Sequence, residues 1–370
     1  MIRTSSIGDV VLSTAVLNFL ERLSTPERRF KVYFFSKKPC LDLLECCAPG
    51  VEILDIEGEE IRLQEPRFMK SLQLLVDLQD NPRSKILSRQ FMKWGTIQVK
   101  TKKFRWQRGF SVLKGRWYGR GRVLTPSDLD PLSLQYQAAL EAVCRGLTLL
   151  GIDVTALEVA SAKKAAHPKL NTLDLPIFDL PPKEGPWIAL GPGASFETKK
   201  YPELGFKQVL EKLQERLPKD LLPHLVFLGD KNDRDSSEKI ISDLNWPKAI
   251  LNLCGKTTLP ETTQILSQSQ LILCGDTSLA HIGEAVGTPS GVIFGPTIEA
   301  FGFKPFRKES RAFSSTLGCR PCSKHGSTPC RFGDKACFTS IEKDLIVDWI
   351  CQTLDFRRQQ VSPPPGDQRH

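Results

Sequence analysis

The 370-residue chain has no apolar run near the roughly 18 residues that a membrane-spanning helix requires, and its first residues lack the basic-then-apolar pattern of a secretory leader. Integral membrane and secreted proteins are thereby set aside, and the cytoplasm is the expected location. No internal repeat and no low-complexity segment of any length interrupts the chain. Acidic residues are absent from Gln98 to Arg122, where nine basic ones stand (Lys100, Lys102, Lys103, Arg105, Arg108, Lys114, Arg116, Arg120, Arg122). Nine is also the whole formal excess of +9, so the rest of the chain is near neutral. Phe104, Trp106, Phe110, Trp117 and Tyr118 are interleaved with those charges. Such a segment suits a phosphate-rich surface, either nucleic acid or anionic lipid head groups, unless it is only a solvated face with packed aromatics.

Length alone points to two domains. Apolar strand-like runs alternate with helical patterns, which predicts an α/β fold of parallel sheets covered by helices. FKVYFFS from Phe30, VEILDI from Val51 and LQLLVDLQD from Leu72 read as strands, and residues 131–150 as a helix ending at Gly151. The pattern dissolves after about Ala160 into a Pro- and Lys-rich stretch that reads as a linker. A second series follows: WIALGPGAS, a helix over about 204–217, HLVFLGD, a helix near 236–244, LILCGD and GVIFGP. The expected division is 1–165 as a first Rossmann-like domain and 166–186 as linker. A second such domain follows over 187–340, then a helix over 341–356 and a disordered tail over 357–370. Ligands of two such sheets bind in a cleft at the carboxyl ends of the strands.

Three loops carry polar groups to that edge. SSIGD, after a strand of only Met1 to Thr4, puts Gly8 and Asp9 at a helix start. There backbone N–H groups attract anions, and an acid is also simply favoured by the helix dipole. GPGASFETKKYPELGF combines close-approach glycines with Ser195, Thr198, Lys199 and Lys200, though without the spacing of a Walker loop. CGDTSLAHIGEAVGTPSGVIFGPT places Asp276, Thr277 and Ser278 before a helix that carries His281 one turn in. Together the loops favour a nucleotide diphosphate.

Seven of the 11 cysteines are scattered through apolar segments as reduced packing residues. The other four, Cys319, Cys322, Cys330 and Cys337, are spaced C-x2-C-x7-C-x6-C. Four thiolates at this spacing suit a structural zinc site, reduced packing thiols or disulfides.

With these stretches in place, the sequence resembles the heptosyltransferases, glycosyltransferase family nine. SSIGDVVLSTAVL, DLQDNPRS, GPGASFETKKYPE, LCGKTTLPETTQIL and GDTSLAHIGEAVGTPSGVIFGPT occur in that order, followed by the late cysteines. The resemblance implies a GT-B fold, two doubly wound Rossmann-like domains facing a cleft, with the final helix crossing back to the first. It also implies an inverting, cytoplasmic enzyme, peripheral to the inner membrane, that moves heptose from an ADP-sugar to the inner core of lipopolysaccharide. No cofactor is required for catalysis, and nucleic acid is not an expected partner.

Residue by residue, Asp9 is implied as general base and Lys199 as the group that stabilises the departing diphosphate. Ser195, Thr198, Asp276, Thr277, Ser278, Leu279 and His281 would bind the donor, and Arg83, Lys102, Lys103 and Arg105 the acceptor. Two features depart from the family pattern: Ser278 where many members have glycine, and the very short first strand. The alternatives are a nucleic-acid-binding protein using residues 98–122, or a member that binds nucleotide sugar without transferring it.

Overall fold

The computed structural model describes residues 1–48, 50–56, 66–101, 105–131, 133–242 and 244–361, with backbone alone at 105–106 and 356–361. In the first half β1 (Val32–Ser36) pairs with β2 (Val51–Asp55), and β3 (Leu74–Asp77) with β4 (Ile97–Lys100), both parallel. The opening residues join these two pairs. Ile2 donates to Val76 O at 2.9 Å and accepts from Leu78 N at 3.1 Å, while Phe35 N donates to Met1 O at 2.8 Å and Arg3 N to Phe35 O at 3.0 Å. Ile2 thus bridges both neighbours, and the order becomes β2, β1, the Ile2 segment, β3, β4. The short first strand is therefore held from both sides, and Ile2 is fully buried.

The second half is a six-stranded parallel sheet in the order β10-β9-β8-β5-β6-β7. Its strands are β5 (Trp187–Gly191), β6 (His224–Phe227), β7 (Ile250–Asn252), β8 (Leu271–Gly275), β9 (Ser290–Phe294) and β10 (Arg311–Ser314). Because β5 pairs with both β6 and β8, the winding reverses there, and that reversal opens a crevice above the strand ends. One face of this sheet packs on Phe206, Leu210 and Leu213 of the helix Glu203–Arg216, and on Ile346, Trp349, Ile350 and Leu354 of the last helix. Each such side chain contributes about 1.5–3 kcal/mol by leaving water.

That last helix spans Lys343–Val361, so residues 357–361 of the expected tail continue it, and the remainder lies outside the described residues. Its described packing is on the second sheet. The Trp349 ring fills the space beside Gly291, and Lys212 and Arg216 pair with Asp344 and Asp348. The return to the first half expected of it is not among these contacts.

Several elements were not legible from the sequence pattern. The helix Ala156–Ala165 runs through the expected start of the linker, and β7 and β10 add the two edges of the second sheet. The basic segment holds β4 and the helix Arg105–Tyr118. By chain order that helix belongs to the first half, yet it packs on the second. A Cβ on Gly115 would sit 3.0 Å from the carbonyl oxygens of Arg320 and Pro321. Leu124 N donates to Thr316 O at 2.7 Å, and Val112 and Leu124 cluster with Ile298 and Phe301.

Candidate active site

Both sheets turn the carboxyl ends of their strands toward one cavity of about 720 Å³. From the first half come Arg3, Ser5, Ser6, Gly8 and Asp9, with Gln79 and Asn81 after β3. The second half contributes Ser195, Lys199, Asp276, Thr277, Ser278 and His281.

Asp9 lies in the first turn of the helix Ile7–Ser13. Arg3 forms an ion pair with its carboxylate, and the Ser6 hydroxyl donates to Oδ2 at 3.1 Å. That helix meets the helix Ser278–Val286 face to face. A Cβ on Gly8 would lie 2.8 Å from His281 Cδ2, so glycine is what permits the approach.

Across the cavity Lys199 Nζ pairs with Asp276 Oδ2 at 2.7 Å, and Thr297 donates to the same oxygen at 2.9 Å. Burial pushes the Asp276 carboxyl up, but the Lys199 ammonium and its hydrogen bond, with the Thr297 hydroxyl, outweigh it and hold the group below the usual carboxylate range. Burial holds the His281 imidazole below its ordinary value, against the opposing pull of Asp276 and Asp9. Thr277 occupies the N-cap of the Ser278 helix, yet its side chain makes no capping bond, and its Oγ1 is buried without a partner. An unsatisfied buried hydroxyl at a helix start is a ready donor for an anionic oxygen.

The remaining expected residues are placed as follows. Leu279 packs beneath Gly191, where a Cβ would meet its Cδ1 at 2.9 Å, and does not line the cavity. The Thr198 hydroxyl donates to Gly326 O, so it is taken up by the cysteine-rich loop. Arg83 is exposed in the first turn of the helix Pro82–Met92 and is not among the cavity residues. The reason is local. Asp77 accepts from Gln79 N, Asp80 N and Ser84 Oγ, and Asn81 caps the helix, so the turn aims Gln79 and Asn81 inward. Lys102 and Lys103 lie outside the described residues, as does the Arg105 side chain.

Among the described residues, no group of three or more His, Cys, Asp or Glu is placed to hold a metal, and Cys319, Cys322, Cys330 and Cys337 are free thiols. They are neighbours, since their charges act on one another, but the buried Arg320 guanidinium sits among them. It donates to the carbonyls of Gly295, Phe294, Ser315 and Thr297. Burial raises the Cys322 thiol to about 11 and the Cys337 thiol to about 12. As placed, with the Arg320 guanidinium near them, the four thiols do not make up a metal-ligand set among the described residues.

Sequence reasoning missed several cavity residues. Arg3, Arg108, Gln135, Tyr136, Phe301 and Phe303 line it, as do Lys324, His325 and Ser327 of the cysteine-rich loop. Only Arg108 left a trace, as the charged residue on the same helical face as Val112 and Gly115.

The model of the glycosyltransferase family 9 (heptosyltransferase) matches residues 134–331. Lipopolysaccharide heptosyltransferase 2 of Escherichia coli (strain K12) is 26% identical over 121 residues, which are 32% of this chain and 33% of that protein. The sequence match thus spans about a third of the length of this curated relative. In three dimensions the chain is similar to the E. coli ADP-heptose lps heptosyltransferase II, with a TM-score of 0.64, 17% identity, and 96% and 98% of the two chains covered. It is also similar to the iron-containing dodecameric glycosyltransferase TibC of enterotoxigenic E. coli H10407, with a TM-score of 0.54, 12% identity, and 97% and 76% of the two chains covered. At such identities the likeness speaks for the fold, the GT-B pair of Rossmann-like domains. Since the family model covers more than half of the sequence, the chain belongs to glycosyltransferase family 9, the heptosyltransferases.

Proposed function

We propose that this protein is an inverting glycosyltransferase that moves heptose from ADP-heptose to the inner core of lipopolysaccharide. The observation that carries the reading is a single cavity with Asp9 on one wall and the Lys199–Asp276 pair, Thr277 and a helix start on the other. Asp9, held by Arg3 and Ser6, takes the proton of the acceptor hydroxyl as its oxygen bonds to the anomeric carbon. The bond from that carbon to the diphosphate breaks, and ADP departs with the electron pair. Lys199, Ser195, the Thr277 hydroxyl and the N–H groups at the Ser278 helix start bind the charge that develops. An oxocarbenium-like transition state, as in glycoside hydrolysis, follows by analogy.

The acceptor is lipid-linked, and the outer face of the helix Arg105–Tyr118 suits a membrane surface. Phe110, Leu113 and Trp117, spaced i, i+3 and i+7, are exposed, Trp117 by 86%, and Lys114 lies over the Phe110 ring at 4.8 Å. An apolar stripe flanked by cations binds an anionic lipid interface. Anionic vesicles should therefore float the wild type but not a Trp117→Ser, Leu113→Ser double variant. Equal flotation, or capture by nucleic acid in its place, would remove this assignment.

Transfer itself is tested with ADP-heptose and heptose-free Kdo-lipid A, beside UDP- and GDP-sugars, with Asp9→Ala as control. Product that depends on ADP-heptose and vanishes in the variant is expected. Binding of ADP-heptose without product, across acceptors with and without a first heptose, would instead mark a member that has lost transfer.

A further inference from the structure

The loop enclosed by Cys319 and Cys337 reaches the cavity at its tip, residues 323–327, which is wedged between two elements. On one side Thr198 donates to Gly326 O, and a Cβ on Gly326 (φ +85°) would lie 2.4 Å from Lys199 Cγ, so the tip rests on the stem of that lysine. Gly326 N closes the turn by donating to Ser323 Oγ at 2.8 Å. On the other side Gly109 and Gly115 leave the helix Arg105–Tyr118 room to lie against the loop. A Cβ on Gly109 would be 3.5 Å from Lys324 Nζ. The wedge delivers Lys324 and His325 to the cavity wall that Arg108 already lines.

Arg108 is prepared on that wall. Its Nη2 donates to Phe301 O at 2.7 Å, and the rings of Phe301 and Phe303 stand 5.4 and 5.2 Å from the guanidinium carbon. Its Nε is buried with no partner. The carboxylates that line the cavity are Asp9 and Asp276, and these already pair with Arg3 and Lys199. Among the described residues neither Arg108 nor Lys324 pairs with a carboxylate. Asp9 and Asp276 act on Arg108 without pairing with it, and burial beside Arg108 and Lys199 holds the His325 imidazole below its ordinary value, so a phosphate oxygen in the recess would meet two unpaired cations and a neutral ring.

We propose that Arg108, Lys324 and His325 form a subsite for a phosphate group of a substrate, with the cysteine-rich loop as its carrier. The inference rests on the transfer reading above, which offers two sources of that group, a phosphate of the acceptor or the diphosphate of the donor. Steady-state kinetics of Lys324→Gln, His325→Gln and Lys324→Arg separate them. Loss of the Lys324 charged hydrogen bond should raise one KM by about tenfold and loss of the His325 ring by less, with kcat nearly unchanged and the Arg variant restored. A rise in the KM of Kdo-lipid A, abolished when that acceptor is stripped of its phosphates, assigns the acceptor. A rise for ADP-heptose, with weaker ADP binding, assigns the donor.

No change in either KM overturns the subsite. A second measurement needs neither turnover nor a folded variant. The five histidines of the chain give few ring-nitrogen signals in 15N-histidine-labelled wild type, and that of His325 should shift with ADP or with phosphorylated Kdo-lipid A. A shift in a protein that transfers nothing keeps the subsite and removes the activity. Transfer with neither shift nor KM change does the reverse.

Discussion

Replacing Lys199 by methionine tests the electrostatics of the Lys199–Asp276 pair directly. Lys199 and Asp276 are each only 13% exposed, and their charged atoms are 2.7 Å apart. Removing one partner of a buried pair costs about 3–5 kcal/mol, because the other charge remains in a poor dielectric. Asp276 retains the Thr297 hydroxyl, a bond worth about 1 kcal/mol, so a net loss of about 2–4 kcal/mol is expected near neutral pH. The sign of the pH dependence is the sharper test. In the wild type the Asp276 carboxyl lies below its ordinary value, so its contribution is complete above the unfolded pKa and is lost only as pH falls through the lowered folded one. Without Lys199, burial dominates and the carboxyl rises above the unfolded value. The folded variant then gains stability as pH falls toward that raised pKa. Urea midpoints for both proteins at about pH 7.5 and about pH 5 should therefore show the deficit shrinking at the acid end, with unchanged m-values. A deficit of equal size at both would mean that packing of the lysine stem against Gly326, and not its charge, is what the substitution removes.

Three further outcomes follow from the same geometry. Asp9→Asn should lower kcat by about 10²–10⁴-fold while calorimetry finds ADP binding unchanged, and near-normal turnover would remove the base. Gly8→Ala should destabilise by about 1 kcal/mol or more despite alanine's better helix propensity, since its Cβ meets His281 Cδ2 at 2.8 Å; a higher melting temperature would show that the two helices are not held so closely. Partial burial raises the Cys330 thiol, but the backbone N–H groups of Phe332, Lys335 and Gly333 lower it further, leaving it below its usual value. Iodoacetamide followed by mass spectrometry should thus label Cys330 before Cys322 and Cys337, and the opposite order would contradict the arrangement of the loop.

The central strands of the second sheet were legible because each residue of β5, β8 and β9 is buried and WIAL, LILC and VIF read as apolar runs. At the edges that signal fails. Residues of β7 are only half-buried, and β10 exposes Arg311. The helix Ala156–Ala165 buries only Ala162, so it has no apolar stripe to announce it. Loops at the crevice could be recognised from small residues and hydroxyls, because close backbone approach demands them wherever the chain meets. Lys324 and His325 carried no such mark. Nothing near them in sequence tells that the loop between the cysteines folds back over Lys199, more than a hundred residues earlier.

That distance also explains why the wall that carries Arg108 was the less readable one. The described residues of 105–131 leave the first sheet after β4 and settle on the second half. Leu124 N binds Thr316 O, Gln135 N binds Gly302 O, and Val123 bridges to Leu317. The ion pairs Lys304–Asp130 and Arg120–Asp334 are surface pairs of small value. The backbone bonds and the apolar cluster around Phe301 contribute more, at about 0.5–1.5 kcal/mol per bond and more for each buried side chain. If the two sheets move apart, this segment stays with the second one, and Arg108 keeps its place beside Lys324 and His325. The cavity is then divided unevenly: Asp9 belongs to the part that can withdraw, whereas the cationic wall and the Lys199–Asp276 pair move as a unit. The contact of Gly8 with His281 is what holds the Asp9 carboxylate opposite that wall, as the proposed transfer requires.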